Sequence, residues 1–214
     1  MSALIERLSS NFLPMFLNGM VVNFQIAVIA LIIGVALGLL LALARLSGGR
    51  PLGAVAASLI GLMRAAPTFV VMFFLLNVIP RDASLFGIKL ALSGVMMVAV
   101  SLVPYSAAYV ADAGIDAMQH LRRGSQLGAL LFLPNVTRAF FVLVMSSGAA
   151  AAIGVPEGIT VLLRQAEHLP SLGDKLVLFA FGILMFGLPL QLGFVAIRAV
   201  HRSLSRLVVA QAGH

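Results

Sequence analysis

At 214 residues, with 61% hydrophobic side chains, 10% charged ones and a mean hydropathy of +1.11, the chain departs widely from a soluble domain, which is roughly 45–50% apolar and about 25% charged. It reads as an integral membrane protein. The formal charge of +7 and the pI near 11.3 do not point to nucleic acid, because the arginines punctuate apolar runs instead of clustering on a polar face, and the absence of cysteine excludes a disulfide framework, a thiolate metal site and a cysteine nucleophile.

The opening "MSALIERLSSNFLPMF" lacks a basic segment followed by a short apolar core and a small-residue cleavage site, so the first spanning helix is expected to act as its own insertion signal. A helix needs about 20 apolar residues to cross the hydrocarbon, and five windows qualify. They are residues 19–44, roughly 53–80, about 88–112, about 137–163 and about 175–200. Period-two alternation is missing, which argues against a membrane β-barrel. The expected fold class is therefore an all-α integral membrane protein with five transmembrane helices, and residues 1–214 form a single transmembrane domain.

Five spans put the two ends on opposite sides, and the arginine and lysine bias chooses between orientations. With the N-terminus outside, the inner side holds Arg45, Arg50, Arg122, Arg123, Arg138, Arg198, Arg202 and Arg206, against Arg7, Arg81, Lys89 and Lys175 outside. The expectation is N-terminus outside and C-terminus cytoplasmic. The polar-rich segment at about 115–136 then becomes an inward loop, in which glycine and proline predict a short helix flanked by turns.

Ionisable groups at membrane depth either line an interior path or find a partner. Arg64 in "MRAAPTF" precedes Pro67, which frees a backbone carbonyl; it either snorkels to the interface or faces the path. Asp112 follows "PYSAAYVA" as a helix-end carboxylate that pairs with a loop arginine or faces the path. Glu157 in "IGVPEGI" sits among Gly154, Pro156 and Gly158, where the helix is expected to be irregular: a binding site in a broken span, or a turn between half-spans. Arg164 in "LLRQAEHL" is placed at the outer end of span four. The glycine pairs and "SSGAAAA" are packing features. His120, His168, His201 and His214 have no metal-ligand spacing, and no nucleophile and base share a span, so neither a metal site nor an enzyme is expected.

Taken in order, the motifs resemble the permease subunits of binding-protein-dependent ABC importers, specifically the polar amino acid permease family. "NGMVVNFQIAVIALIIGVALGLLLALARLS" resembles that family's first core helix, and "LIGLMRAAPTFVVMFFLLNVIP" its arginine-glycine-threonine-proline segment, with Arg64 and Pro67 on the matching positions. "LVPYSAAYVADAGIDAMQHLRRG" is similar to its alanine-alanine-tyrosine-x-x-glutamate stretch and sets Tyr109 and Asp112 on the tyrosine and the acid. The resemblance spans about residues 17–170. It implies an ABC type I importer permease fold, with the loop after span three acting as a coupling helix for the ATPase. Read without gaps from Gln119, Gly124 falls on the family's glycine, and Leu127, Gly128 and Ala129 fall on its glutamate-alanine-alanine motif. Leu127 replaces the glutamate, Leu133 the later glycine, and Met145 and Ser146 the leucine-proline; Ala65, Ala66 and Val71 also depart from the pattern.

What the resemblance implies is an inner-membrane permease subunit of a bacterial importer for amino acids or similar small polar solutes, working by alternating access. Arg64, Pro67, Tyr109, Asp112, Glu157 and Arg164 are its substrate-path candidates. Leu121, Arg122, Arg123, Gly124, Leu127, Gly128, Ala129, Leu130 and Leu131 form the coupling loop. Its partners are a second permease subunit in a homo- or heterodimer, an ATPase dimer, a periplasmic or extracellular substrate-binding protein and membrane lipid, and not nucleic acid. The chain has no glycine-rich lysine loop, so no cofactor is expected on it, and ATP and Mg belong to the ATPase. The altered loop motif also permits a non-transporting membrane scaffold or regulatory subunit with the same fold.

Overall fold

In lipid every backbone polar group must be satisfied within its own segment, so the apolar windows can only become helices. The computed structural model describes residues 12–47, 49–78, 84–85, 88–89 and 93–212; Arg7, Arg81 and His214 lie outside these. Helix α1 covers Leu13–Ser47 and buries Gly19, Asn23, Ile26, Ala27, Ala30, Gly34, Gly38 and Ala42. This is a mainly small-residue stripe at helical spacing. Helix α2 (Arg50–Ala65) and helix α3 (Thr68–Val78) follow. After a two-residue antiparallel ladder, Ser84–Leu85 with Ile88–Lys89, helix α4 covers Gly94–Arg122.

The glycines let α1 and α4 meet at backbone distance. Gly34 lies against Ser106, Gly38 against Ala107 and Val110, and Gly114 against Leu39 and Ala42. A Cβ at Gly38 would stand 2.6 Å from the Ala107 carbonyl oxygen, so a larger residue there would force the helices apart. Residue numbers rise together along this seam. The two helices therefore run parallel, and the chain between them returns across the bilayer once.

That return is broken: α2 and α3 meet at 96°. Pro67 has no N–H to continue the helix, and Ala66 before it is driven to extended backbone (φ −69°, ψ 115°). Among the described residues four helical stretches are long and apolar enough to cross a membrane, and five if the bent pair counts as one span.

Several expected boundaries shift. Span three was expected over about 88–112, but residues 88 and 89 belong to the ladder, and α4 starts at Gly94 with the Ser93 hydroxyl accepting from the Met96 N–H at 3.2 Å. It then continues past Asp112 to Arg122, because Asp112 has a partner and nothing breaks the helix until Gly124, whose φ is +78°. The connection narrows to residues 123–131, which contain the four-residue helix α5, Gln126–Ala129. Span five, helix α8 (Leu172–Ala212), likewise overruns its expected end near 200.

Span four divides into helix α6 (Phe132–Ser146), a 3-10 segment (Ser147–Ile153) and helix α7 (Gly158–Glu167). Gly154 turns the chain with φ +77°, and Pro156 supplies no donor. Gly158 at the start of α7 packs against Gly19 of α1, and Phe16 and Met20 of α1 share a core cluster with Val161, Leu162 and Ala166 of α7. Helix α8 reverses again, with Gly182 against Leu162 and Gly193 against Phe141. The ends of α1, α4 and α8 thus share one face of the bundle.

Candidate functional site

Three places gather polar groups. The first is an open cavity of about 580 Å³ between α1, α2 and α4, lined by Arg45, Ile60, Arg64, Asp112, Ile115 and Gln119 among others. Arg64 enters from the last turn of α2, just before the Pro67 break, and donates from Nη2 to Asp112 Oδ2 on α4 at 2.5 Å. The arginine's partner is this carboxylate, 48 residues away in sequence, and not a proline-freed carbonyl; for Asp112 it is a spanning-helix arginine and not one in a loop. The pair is 61% and 44% exposed, so it faces the cavity. Arg45 Nη1 donates to the Gly53 carbonyl at 3.1 Å and ties the α1–α2 corner. Half-buried Tyr109 stands one turn before Asp112, its ring centroid 6.1 Å from that of Tyr105.

The second place is a fully enclosed knot where span four breaks. Glu157 and Asn23 have no exposed surface. Glu157 is the N-cap of α7: Oε2 accepts from the Ile159 N–H and from Asn23 Nδ2, both at 2.8 Å, and Oε1 accepts from the Thr160 N–H at 2.7 Å and lies 2.9 Å from the Thr160 hydroxyl. Asn23 also donates to Ser147 Oγ at 2.8 Å and accepts the Gly158 N–H at 3.0 Å. One α1 side chain thereby binds both sides of the break. A capping carboxylate at a helix N-terminus is favoured by the free N–H groups there. Glu157 therefore holds the half-helix in place, and its oxygens are engaged by protein donors. Neither Glu157 nor the exposed Arg164, on the last turn of α7, lines the Arg64–Asp112 cavity.

The third place is the turn after α4. Ser125 Oγ caps α5 by accepting from the Gly128 N–H at 3.1 Å, and Gly128 lies against the His120 ring, which leaves no room for a Cβ. Leu121, Leu127 and Leu131 are exposed, as are Arg122, Arg123 and Gly124, while Ala129 and Leu130 are half-buried. Sequence reasoning missed Asn23, Ser147 and Thr160, and it did not assign Arg45 or Gln119 to a path. Asn23, a polar residue in the apolar run of α1, is the signal on the α1 side of the knot.

These features describe a multi-pass helical membrane protein, and its fold is like that of an ABC transporter permease. No family model matches the chain. Among solved structures, that of an amino acid ABC transporter with histidines superposes with a TM-score of 0.60 at 20% identity, covering 91% of this chain and 94% of its own.

Proposed function

We propose that this chain is the membrane permease subunit of an ATP-driven bacterial importer for amino acids or similar small polar solutes. The observation that carries the reading is a solvent-accessible ion pair, Arg64 with Asp112, at the wall of a cavity among spanning helices. An ionisable pair held between otherwise apolar helices suits a substrate path, and a cation beside an anion suits a solute carrying both charges. The substrate of the structurally similar transporter supports the same class. Alternating access would proceed through the exposed α5 turn, which docks the ATPase dimer. That partner holds ATP and Mg; a second permease subunit closes the cavity, and a binding protein delivers solute from the other side. Leu127 in place of the glutamate that the resemblance leads one to expect favours one alternative, a scaffold with the permease fold that moves no solute.

Purification from native membranes separates these readings. A permease brings an ATPase and a second permease subunit with it, and the Arg64→Ala complex assembles normally but takes up less solute. Normal uptake per assembled Arg64→Ala complex removes Arg64 from the path, and a wild-type complex that hydrolyses ATP without any uptake supports the scaffold.

Orientation follows the arginine bias, with the α5 face cytoplasmic. Because the native chain lacks cysteine, single cysteines report cleanly. Ser171→Cys is expected to react with a membrane-impermeant maleimide in intact cells and Ser125→Cys only after lysis. The opposite pattern reverses the topology.

A further inference from the structure

The cavity that holds Arg64 and Asp112 carries more positive charge than that pair explains. Its polar side chains are Arg45, Arg64, Asp112 and Gln119, so among the described residues one carboxylate faces two guanidinium groups. Arg64 and Asp112 neutralise each other. Arg45 has no carboxylate partner among the described residues. Its bond from Nη1 to the neutral Gly53 carbonyl fixes the guanidinium at the cavity wall and leaves its charge uncompensated. A cation that served only to orient the chain in the bilayer would need no such tether. At the rim, Arg122 Nη2 lies 3.5 Å from the carbonyl of Leu46, itself a lining residue. Asp116, exposed one turn beyond Asp112 on α4, does not line the cavity. These two rim charges offset each other, and the excess of one positive charge at the wall remains. The α2 side has room for a ligand, since a Cβ at Gly61 would meet no atom within 4 Å.

We propose that this cavity selects an α-amino acid that carries a second carboxylate. The inference rests on the permease reading and narrows its solute class. The backbone of any free amino acid bears one carboxylate and one ammonium, which meet the remaining N–H groups of Arg64 and the carboxylate of Asp112. A neutral amino acid leaves Arg45 unanswered, and a basic one sets a further cation beside it. A side-chain carboxylate gives Arg45 a partner and brings the filled cavity to zero net charge. The planar guanidinium fork matches a carboxylate, and the Gln119 amide can add a donor. Arg45 lies in the last turn of α1 and Gln119 near the end of α4. The selection is therefore made at that end of the bundle, by the membrane subunit itself and not by a binding protein.

The test is equilibrium binding of radiolabelled L-glutamate, L-glutamine and L-lysine to the chain purified with its associated subunits, free of binding protein, in phosphatidylcholine nanodiscs. Glutamate and glutamine differ by one charge at nearly constant shape, so the ratio of their affinities reads Arg45 and is insensitive to a general loss of binding. Glutamate is expected to bind at least about tenfold tighter than glutamine, a moderate factor because water in the open cavity screens the charges. Lysine should bind most weakly. Arg45→Gln should bring the ratio to about one, and Arg45→Lys should keep most of it. Gln119→Glu, which leaves the tether to Gly53 in place, should lower the ratio as well. A wild-type ratio of about one, or a ratio that neither Arg45→Gln nor Gln119→Glu lowers, overturns the acidic class and leaves the permease reading standing. Displacement of glutamate by equimolar inorganic phosphate, or loss of binding when phosphatidylglycerol replaces phosphatidylcholine, identifies a general anion or headgroup pocket and overturns the proposal. If none of the three amino acids binds, the cavity is not a solute site and the proposal falls; ATP-driven uptake by the intact complex then decides the permease reading separately.

Discussion

Glu157→Ala lowers the stability of the assembled bundle by about 3–5 kcal/mol, the largest loss expected from any single truncation of a polar side chain here. The Ile159 and Thr160 N–H groups lose their acceptor, and Asn23 Nδ2 keeps only Ser147. Each buried donor left without a partner costs about 1–3 kcal/mol, and water cannot reach a site with no exposed surface. The α7 N-cap is lost in the same step, worth about 1 kcal/mol. Glu157→Gln should cost about half as much, because its remaining oxygen still accepts from one side. Asn23→Leu separates the two halves of the knot: α7 keeps its cap, but the Gly158 N–H loses its acceptor. The measurement is the unfolding midpoint in detergent for the three variants. Equal midpoints for Glu157→Ala and wild type would show that the knot contributes nothing to the fold.

The knot also shows where sequence reading stops. Gly154, Pro156 and Gly158 announce a break in span four, since each is a local conformational rule written in residue type. What the break is used for depends on Asn23, 134 residues from Glu157, and no local rule joins them. The same division holds for the cavity. Arg64 and Asp112 each stand out as ionisable residues in apolar windows, but their pairing requires α4 to lie parallel to α1 with α2 returning between them. The parallel seam itself is written in Gly34, Gly38 and Gly114, whose spacing admits close approach without naming the partner helix. Span boundaries were misplaced for a related reason. A window that counts charges ends at Asp112, whereas the helix ends where the backbone can turn, at Gly124. Helix α8 likewise overruns its window because arginines stop a hydrophobic count without stopping a helix.

Leu127→Asp is expected to abolish recovery of the ATPase with the permease while leaving the bundle folded. Leu127 is 44% exposed on a helix whose cap is Ser125 and whose inner contact is Gly128 on His120, so the substitution reaches neither the cap nor the core. At an interface, buried apolar anchors carry most of the energy and rim charges little. If Leu127 fills a pocket on the ATPase, Leu127→Ala costs about 2 kcal/mol, a roughly thirtyfold loss of affinity. Aspartate adds the desolvation of a charge and takes the loss beyond detection. Arg122→Glu with Arg123→Glu, at the rim, should mainly slow association and change its salt dependence. Co-purification and substrate-stimulated ATP hydrolysis are read together, because loss of both with an unchanged unfolding midpoint isolates coupling from folding. An ATPase that stays bound and stimulated with Leu127→Asp places the coupling element elsewhere and leaves the scaffold reading as the better account of why a leucine stands at this turn.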